Sequence, residues 1–92
     1  MPSTTLSLQA TKSHAYFESL SKHFARKVAV QRDGNRACIT FPMGECTMSV
    51  HAQNLRFDAS AADSAALEAV QTIITSHVLR FSELKDAETH WQ

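Results

Sequence analysis

The feature that most constrains this fold is a long alternation of apolar and polar residues between positions 28 and 59. Apolar side chains recur at every second position in four segments, which turn-forming residues separate. A period of two is typical of strands that bury one face only. The alternating positions are Val28 and Val30, then Ala37, Ile39 and Phe41, then Cys46, Met48 and Val50, and finally Leu55, Phe57 and Ala59. The sequence therefore predicts a four-stranded meander with one apolar face.

The connections between these segments predict how the strands pair. Asp33-Gly34 is typical of a two-residue type I′ turn, Pro42 to Glu45 has the length of a four-residue loop, and Ala52-Gln53 is a third short turn. All of them bring apolar residues opposite one another. The expected pairs are Val30 with Ala37, Val28 with Ile39, Phe41 with Cys46, Ile39 with Met48, and Val50 with Leu55.

Helical periodicity flanks the meander on both sides. Apolar spacings of three and four predict amphipathic helices over residues 13 to 26 and over roughly residues 62 to 81. We expect Thr11 or Ser13 to cap the first helix. We expect Ser60 and Asp63 to form a capping box at the second. The apolar stripes contain Phe17, Leu20 and Phe24 in the first helix, and Leu67, Val70, Ile74, Val78 and Phe81 in the second.

Two short segments outside the helices also alternate. "TTLSLQA" carries Leu6 and Leu8 and predicts a first strand, while "AETHWQ" predicts a short last strand at a sheet edge. The whole pattern predicts one α+β domain over residues 1–92. Its order is strand, helix, four-stranded meander, helix and short C-terminal strand, with two helices on one face of an antiparallel sheet. This arrangement is similar in shape to the TATA-box-binding-protein-like fold.

Composition and motifs exclude several classes of function. Nine basic and nine acidic residues leave no net charge, so we expect no nucleic-acid partner. The N-terminus lacks the features of a signal peptide and no segment has membrane-spanning length, so we expect a cytoplasmic protein without a membrane partner. No nucleophile elbow, P-loop or dinucleotide motif is present, and no paired metal-ligand spacing occurs. We therefore favour a non-enzymatic protein without a resident cofactor or metal.

The chain has two cysteines, which the predicted strands place on opposite faces of the sheet. Cys46 has the parity of the apolar positions, whereas Cys38 has the opposite parity. A disulfide between them would cross the sheet, so we predict two free thiols. We interpret Cys46 as a small core residue rather than as a nucleophile.

Histidines and cations cluster at both predicted helix ends. His23, Arg26 and Lys27 end the first helix, while His77 and Arg80 end the second. One interpretation is that they cap unpaired carbonyls and the negative end of each helix dipole. The other is that the two ends converge on an anionic ligand or a metal chelate. Sequence spacing leaves both open, and the candidate ligand-binding residues are His23, Lys27, His77 and Arg80.

The face of the sheet without helices offers an alternative function. It is rich in Thr, Ser and Ala and has few charges, so it would suit a homodimer interface or a docking surface. Its predicted residues are Ala29, Gln31, Arg36, Cys38, Thr40, Thr47, Ser49, His51, Arg56 and Asp58.

Three stretches together resemble a bacterial family, domain of unknown function 2218. They are "KHFARKVAV", "ITFPMGECTMSV" with its F-P-x-G-x-C turn, and "SHVLRF" followed by a tryptophan. The resemblance implies a small uncharacterised bacterial protein, and its association with siderophore-interacting ferric reductases implies iron handling and a reductase partner. Arg26 stands where the resemblance implies a second histidine, which leaves a more basic pocket. The matching positions are His23, Phe24, Lys27, Phe41, Pro42, Gly44, Cys46, His77, Arg80, Phe81 and Trp91.

Overall fold

The computed structural model describes residues 2–81, 83–85 and 89–92, and it has the predicted α+β architecture. The elements are β1 (Ser3–Gln9), α1 (Ser13–Ala25), β2 (Ala29–Asp33), β3 (Arg36–Phe41), β4 (Gly44–His51), β5 (Asn54–Ala61) and α2 (Ser64–Val78). The five strands form one antiparallel sheet in the order β1-β5-β4-β3-β2. Within the described chain, no helix is long and apolar enough to cross a membrane.

The core lies between the apolar face of the sheet and the two helices. Phe57, Met48 and Ile39 from the central strands are completely buried, as the alternation predicts. The helices complete the core with their apolar stripes, and burial of each large apolar side chain stabilises the fold by roughly 1.5–3 kcal/mol. The buried helical residues of these stripes are Phe17, Leu20 and Phe24 in α1, and Val70, Ile74 and Val78 in α2.

The predicted turn between β2 and β3 is wrong by one residue. Gly34 and Asn35 occupy the turn, so Val30 lies opposite Ile39 rather than Ala37. Gly34 has a φ of 61°, whereas Asn35 is not among the residues with positive φ. A type I′ turn needs positive φ at both central positions, while a type II′ turn needs it only at the first. The structure therefore places glycine first in the turn, which shifts every cross-strand pair by two residues.

The predicted loop between β3 and β4 is also too long. Only Pro42 and Met43 form the turn, and Phe41 lies opposite Gly44 rather than Cys46. A Cβ on Gly44 would lie 2.5 Å from the carbonyl oxygen of Ser60. Glycine therefore lets β4 begin in close contact with β5. A two-residue shift preserves parity, so the apolar face is unaffected.

The third turn and the cysteine prediction are confirmed. Val50 lies opposite Leu55, and Ala52 takes the positive φ of 53° that this short turn requires. Both cysteines are free: Cys46 is buried in the core, while Cys38 lies on the opposite face and is half-buried.

The second helix begins later and ends earlier than the periodicity predicts. Ser60 belongs to β5, and Asp63 is the N-cap, with its side chain accepting a hydrogen bond of 2.8 Å from the backbone N–H of Ala66. The predicted capping box is therefore wrong, because Asp63 is itself the N-cap and Ser60 lies outside the helix. The apolar pattern continues to Phe81 because residues beyond the helix still pack on the core.

The predicted caps of α1 are wrong, because a carboxylate distant in sequence takes this role. Glu83 accepts hydrogen bonds from the backbone N–H groups of Thr11 and Lys12, at 2.7 and 3.3 Å, and from the hydroxyls of Thr11 and Tyr16. Ser13 instead donates its hydroxyl to the carbonyl of Ala52 at 2.9 Å. An anion at this end satisfies unpaired N–H groups and the positive end of the helix dipole. These bonds lower the pKa of Glu83 to about 2.

The C-terminal tail reaches the edge of the sheet by one residue pair. Gln92 and Thr5 exchange backbone hydrogen bonds of 2.9 and 3.0 Å along β1. Trp91 donates its indole N–H to the hydroxyl of Thr75 at 3.1 Å. The predicted last strand includes Ala87 and Glu88, which lie outside the described residues.

Replacing the N-cap of α2 should measure its contribution to stability. We expect Asp63→Ala to lower the free energy of unfolding by about 0.5–2 kcal/mol, because the N–H of Ala66 loses its acceptor. Ser60→Ala is the control and should change stability by less than about 0.5 kcal/mol. Urea denaturation measures both variants, and a larger loss in Ser60→Ala would contradict the observed helix start.

Candidate functional site

The C-terminal turns of the two helices meet, and the two predicted site histidines touch there. The Nε2 atoms of His23 and His77 lie 3.1 Å apart, and the ring centroids lie 4.8 Å apart at an angle of 54°. Both side chains are half-buried. The structure therefore brings together two candidates that are 54 residues apart in sequence.

Aromatic packing fixes the position of the histidine pair. Phe24, the residue after His23, is buried and packs edge to face on Phe41 of β3, with centroids 5.6 Å apart at 88°. The ring of His77 lies 4.8 Å from that of Phe24. Each ring packs against a neighbour from another element, so packing restricts the rotation of both imidazole rings.

The chain after α2 runs back along α1. His77 contacts His23, Phe81 stacks on Tyr16 with centroids 4.2 Å apart, and Glu83 binds Thr11. These contacts follow α1 from its end to its start while the sequence advances from 77 to 83. The segment is therefore antiparallel to α1, and this packing places Arg80 beside the histidines.

Hydrogen bonding fixes which ring nitrogen carries each proton. The Nδ1–H of His77 donates to the carbonyl oxygen of Ile73 at 2.6 Å, because a carbonyl only accepts. The Nε2 of a neutral His77 is then an acceptor, so His23 donates its Nε2–H to it. This assignment follows from the partners of each atom. The contact between the two Nε2 atoms can hold only one proton, because two N–H groups pointing at each other would repel.

The surroundings disfavour a charge on His23. Burial lowers the pKa of His23 below its ordinary value of 6.5, and the charges of His77, Lys27, Arg80 and Arg26 lower it further. Lys27, Arg80 and Arg26 bring positive charge toward it, whereas His77 does so only when it is protonated. The end of the helix pair is therefore a region of concentrated positive charge in a chain without net charge.

Two arginines elsewhere in the fold form ion pairs, whereas the cations here form none with the described residues. Arg32 pairs with Glu18 at 2.9 Å and Arg56 pairs with Asp58 at 3.1 Å. Among the described residues, no carboxylate lies within ion-pair distance of the exposed Lys27 or of the exposed Arg80. Their charges therefore face solvent and the site.

Backbone groups close both helix ends. The N–H groups of Lys27 and Val28 donate to the carbonyl of Phe24 at 3.0 and 2.9 Å, and the N–H of Phe81 donates to Val78 at 3.2 Å. The C-cap N–H of α2, from Leu79, likewise donates within the helix. These carbonyls thus have partners without the cationic side chains, and for them only the dipole interaction remains of the capping interpretation.

Two pockets open on either side of His77. The smaller, of about 120 Å³, contains His23 and Arg80, and the larger, of about 260 Å³, contains Lys27. The predicted site is therefore divided by the imidazole of His77. The linings are Ser19, Leu20, His23, His77, Arg80 and Phe81 for the smaller, and Phe24, Lys27, Val28, Phe41, Pro42, Met43, Ile73 and His77 for the larger.

Sequence reasoning missed that the β3–β4 turn forms one wall of this site. Pro42 and Met43 line the larger pocket together with Phe41, and the turn is held in place where Gly44 meets β5. The F-P-x-G-x-C stretch could have indicated this wall, but its Pro42 and Gly44 were predicted only as residues of a loop.

Two other kinds of chemistry were considered for this protein, a reactive thiol and a metal site. Burial raises the pKa of Cys46 to about 12, so its thiol stays protonated in the core and is not a nucleophile at neutral pH. Within the described ranges, no group of three or more His, Cys, Asp or Glu residues could hold a metal ion.

The lowered pKa of His23 predicts a loss of stability in mild acid. The unfolded chain binds a proton at His23 more readily than the native state, so the free energy of unfolding should fall as pH decreases through 6.5. His23→Gln should remove this part of the slope between about pH 7 and pH 5, whereas His51→Gln, at the exposed end of β4, should retain it. Urea denaturation at several pH values measures the slope, and an unchanged slope in folded His23→Gln would refute the assignment.

Comparison with known proteins places this fold and this chain among bacterial proteins. The NMR structure of PA4090 from Pseudomonas aeruginosa superposes with a TM-score of 0.84 at 23% identity, covering 100% of this chain and 96% of that one. At this identity the likeness shows a shared fold. No curated protein matches the chain. A family model described as "Uncharacterized protein conserved in bacteria" matches residues 5–92, so the chain belongs to that family, DUF2218.

Proposed function

We propose that this domain is a non-enzymatic binding module for a small anionic molecule, which it holds at the ends of α1 and α2. The observation that carries the proposal is the half-buried contact of His23 with His77 at 3.1 Å, beside cations that pair with no described carboxylate. Concentrated positive charge without a counter-charge attracts anions, even though the chain as a whole is neutral.

Proton linkage favours an anion over a bare metal cation. Positive neighbours lower the pKa of His23, and a bound anion would offset their charge and favour the protonated ring. A metal cation would instead add to the positive charge already present. Binding should therefore be accompanied by proton uptake, with an affinity that rises as pH falls below about 6.5.

Ferric siderophores and haem, which the sequence resemblance implies, belong to this anionic class. Pockets that enclose drug-sized ligands have volumes of about 300–1,000 Å³. The two pockets here, of about 120 and 260 Å³, are smaller. A ferric chelate would therefore present only part of its surface to the site, and a smaller anion fits better.

An NMR titration tests the proposal. The ¹⁵N-labelled protein is titrated with inorganic phosphate, acetate, benzoate, haem and a diamagnetic gallium analogue of a ferric siderophore. We expect saturable amide shifts around His23, Lys27, His77 and Arg80, with tighter binding at pH 6 than at pH 8. The double variant Lys27→Met/Arg80→Met should remain folded and lose at least about tenfold in affinity, because both unpaired cations are gone.

A charge-matched variant provides the control. Lys12 is the N-cap at the opposite end of α1 and Arg36 is the first residue of β3, so Lys12→Met/Arg36→Met removes the same charge and should retain binding. Retained affinity in the folded Lys27→Met/Arg80→Met variant, or no shift with any anion, would contradict the proposal. Binding of simple anions without binding of the gallium complex would contradict only the link to iron.

The open face of the sheet supports a second proposal, a homodimer or a docking surface for a reductase. Cys38, Thr47 and Asp58 lie side by side on β3, β4 and β5, and all of them are half-buried. Neither helix covers this face. Small polar side chains in a flat row would allow another sheet or surface to approach closely.

Sedimentation tests self-association directly. If the open face is the interface, Thr47→Arg should shift the equilibrium toward monomer by at least about tenfold, because a cation would be placed at the centre of the contact. Thr72→Arg, on the exposed surface of α2, is the control. A wild-type protein that stays monomeric at high concentration would contradict the homodimer.

A further inference from the structure

The larger pocket at the site has a lining that selects for one kind of anion. It lies between the end of α1, the last turns of α2 and the turn between β3 and β4. We propose that it binds the ring of a small aromatic carboxylate, whose carboxylate group meets the ammonium group of Lys27. This inference rests on the proposed function and names the class of ligand that the same site would take.

The walls of the pocket are aromatic and apolar. Phe24 and Phe41 pack edge to face, and the ring of His77 lies against Phe24 at an angle of 46°. Both phenylalanines are largely buried, and the parts of them that line the pocket are aromatic surface that a ligand would contact. A planar ring can add to such surface in offset or edge-to-face geometry.

Three aliphatic side chains complete the lining and remain partly exposed. Val28, Met43 and Ile73 pack on the core from the pocket side, and each is only half-buried. A bound ring would cover apolar surface that now faces water, which is favourable. The flexible thioether of Met43 can adapt to a ring in contact with it.

The polar groups at this pocket match a single negative charge. The backbone N–H of Lys27 is bonded to the carbonyl of Phe24, which fixes the backbone of this residue at the pocket. Its side chain is exposed, and its ammonium group has no carboxylate partner among the described residues. His77 offers only the surface of its ring, because its Nδ1–H is bonded to Ile73 and its Nε2 contacts His23. One ammonium group suits a monovalent carboxylate better than a phosphate dianion, which would carry more charge into an apolar pocket.

The size of the pocket limits the ligand to about one ring. Its volume of about 260 Å³ is below the range of roughly 300–1,000 Å³ that is usual for drug-sized ligands. The smaller pocket on the other side of His77 contains Arg80 but lacks the phenylalanine pair. The geometry thus assigns the ring to the side of Lys27.

This inference is tested with ligands that carry the ring and the charge together, the charge alone, or the ring alone. The ¹⁵N-labelled protein is titrated with benzoate, acetate and benzyl alcohol. We expect benzoate to shift the amides of Val28, Met43 and Ile73 and to bind at least about tenfold more tightly than acetate, because the ring is buried. Lys27→Met should weaken the binding of benzoate and leave that of benzyl alcohol unchanged, while Lys12→Met, at the opposite end of α1, should change neither.

Two filling variants locate the ring. Met43→Trp, at a partly exposed turn position, should block benzoate by filling the larger pocket. Ser19→Trp, at an exposed position of the smaller pocket, should leave benzoate binding intact. Benzoate shifts that centre on Ser19 and Arg80 would overturn the assignment of the pocket.

The outcomes distinguish this inference from the proposed function. Equal affinities for benzoate and acetate, with shifts around the histidine pair, would overturn the aromatic class and support anion binding. Binding of phosphate without benzoate would do the same. No saturable shift with benzoate, acetate or phosphate in the folded protein would overturn both.

Discussion

The structure depends on burial of one alternating face of a five-stranded sheet. Its central residues, among them Ile39, Met48 and Phe57, are fully buried, and one layer of two helices covers them. Both helices must lie on the same face, since the other face is polar. The segment after α2 then packs against α1, and this places His77 against His23. The site is thus a consequence of how the core is covered.

The charge of the whole chain conceals the charge of its parts. Nine acidic residues balance nine basic ones, but Glu18 and Asp58 are paired with arginines, and Glu83 is bonded at the start of α1. The described cations at the far end of α1 have no such partner. A net charge of zero is a sum over the whole chain. The fold nevertheless gathers positive side chains at one place, where they produce a local positive electrostatic field.

Local periodicity predicted most of the fold, and its failures have physical causes. Parity follows from side-chain alternation alone, so the buried face and the separation of Cys38 from Cys46 were predictable. The register between β3 and β4 was not predictable, because it depends on the close contact of Gly44 with β5, which no local pattern encodes. The anion that closes α1 comes from Glu83, 72 residues away, and no local pattern identifies it. The histidines were identified from their helix-end positions, whereas their contact depends on tertiary packing.

The proposed function would couple the stability of the fold to binding. Burial and positive neighbours lower the pKa of His23, so protonation of its ring lowers the free energy of unfolding. A bound anion would offset the nearby positive charges and reduce this cost. A ligand that binds only the native state stabilises it by mass action. Capping does not require the side chains of Lys27 and Arg80, because carbonyls such as those of Phe24 and Val78 have backbone partners. Under the proposed function, an anion would supply the counter-charge that these two cations lack among the described residues.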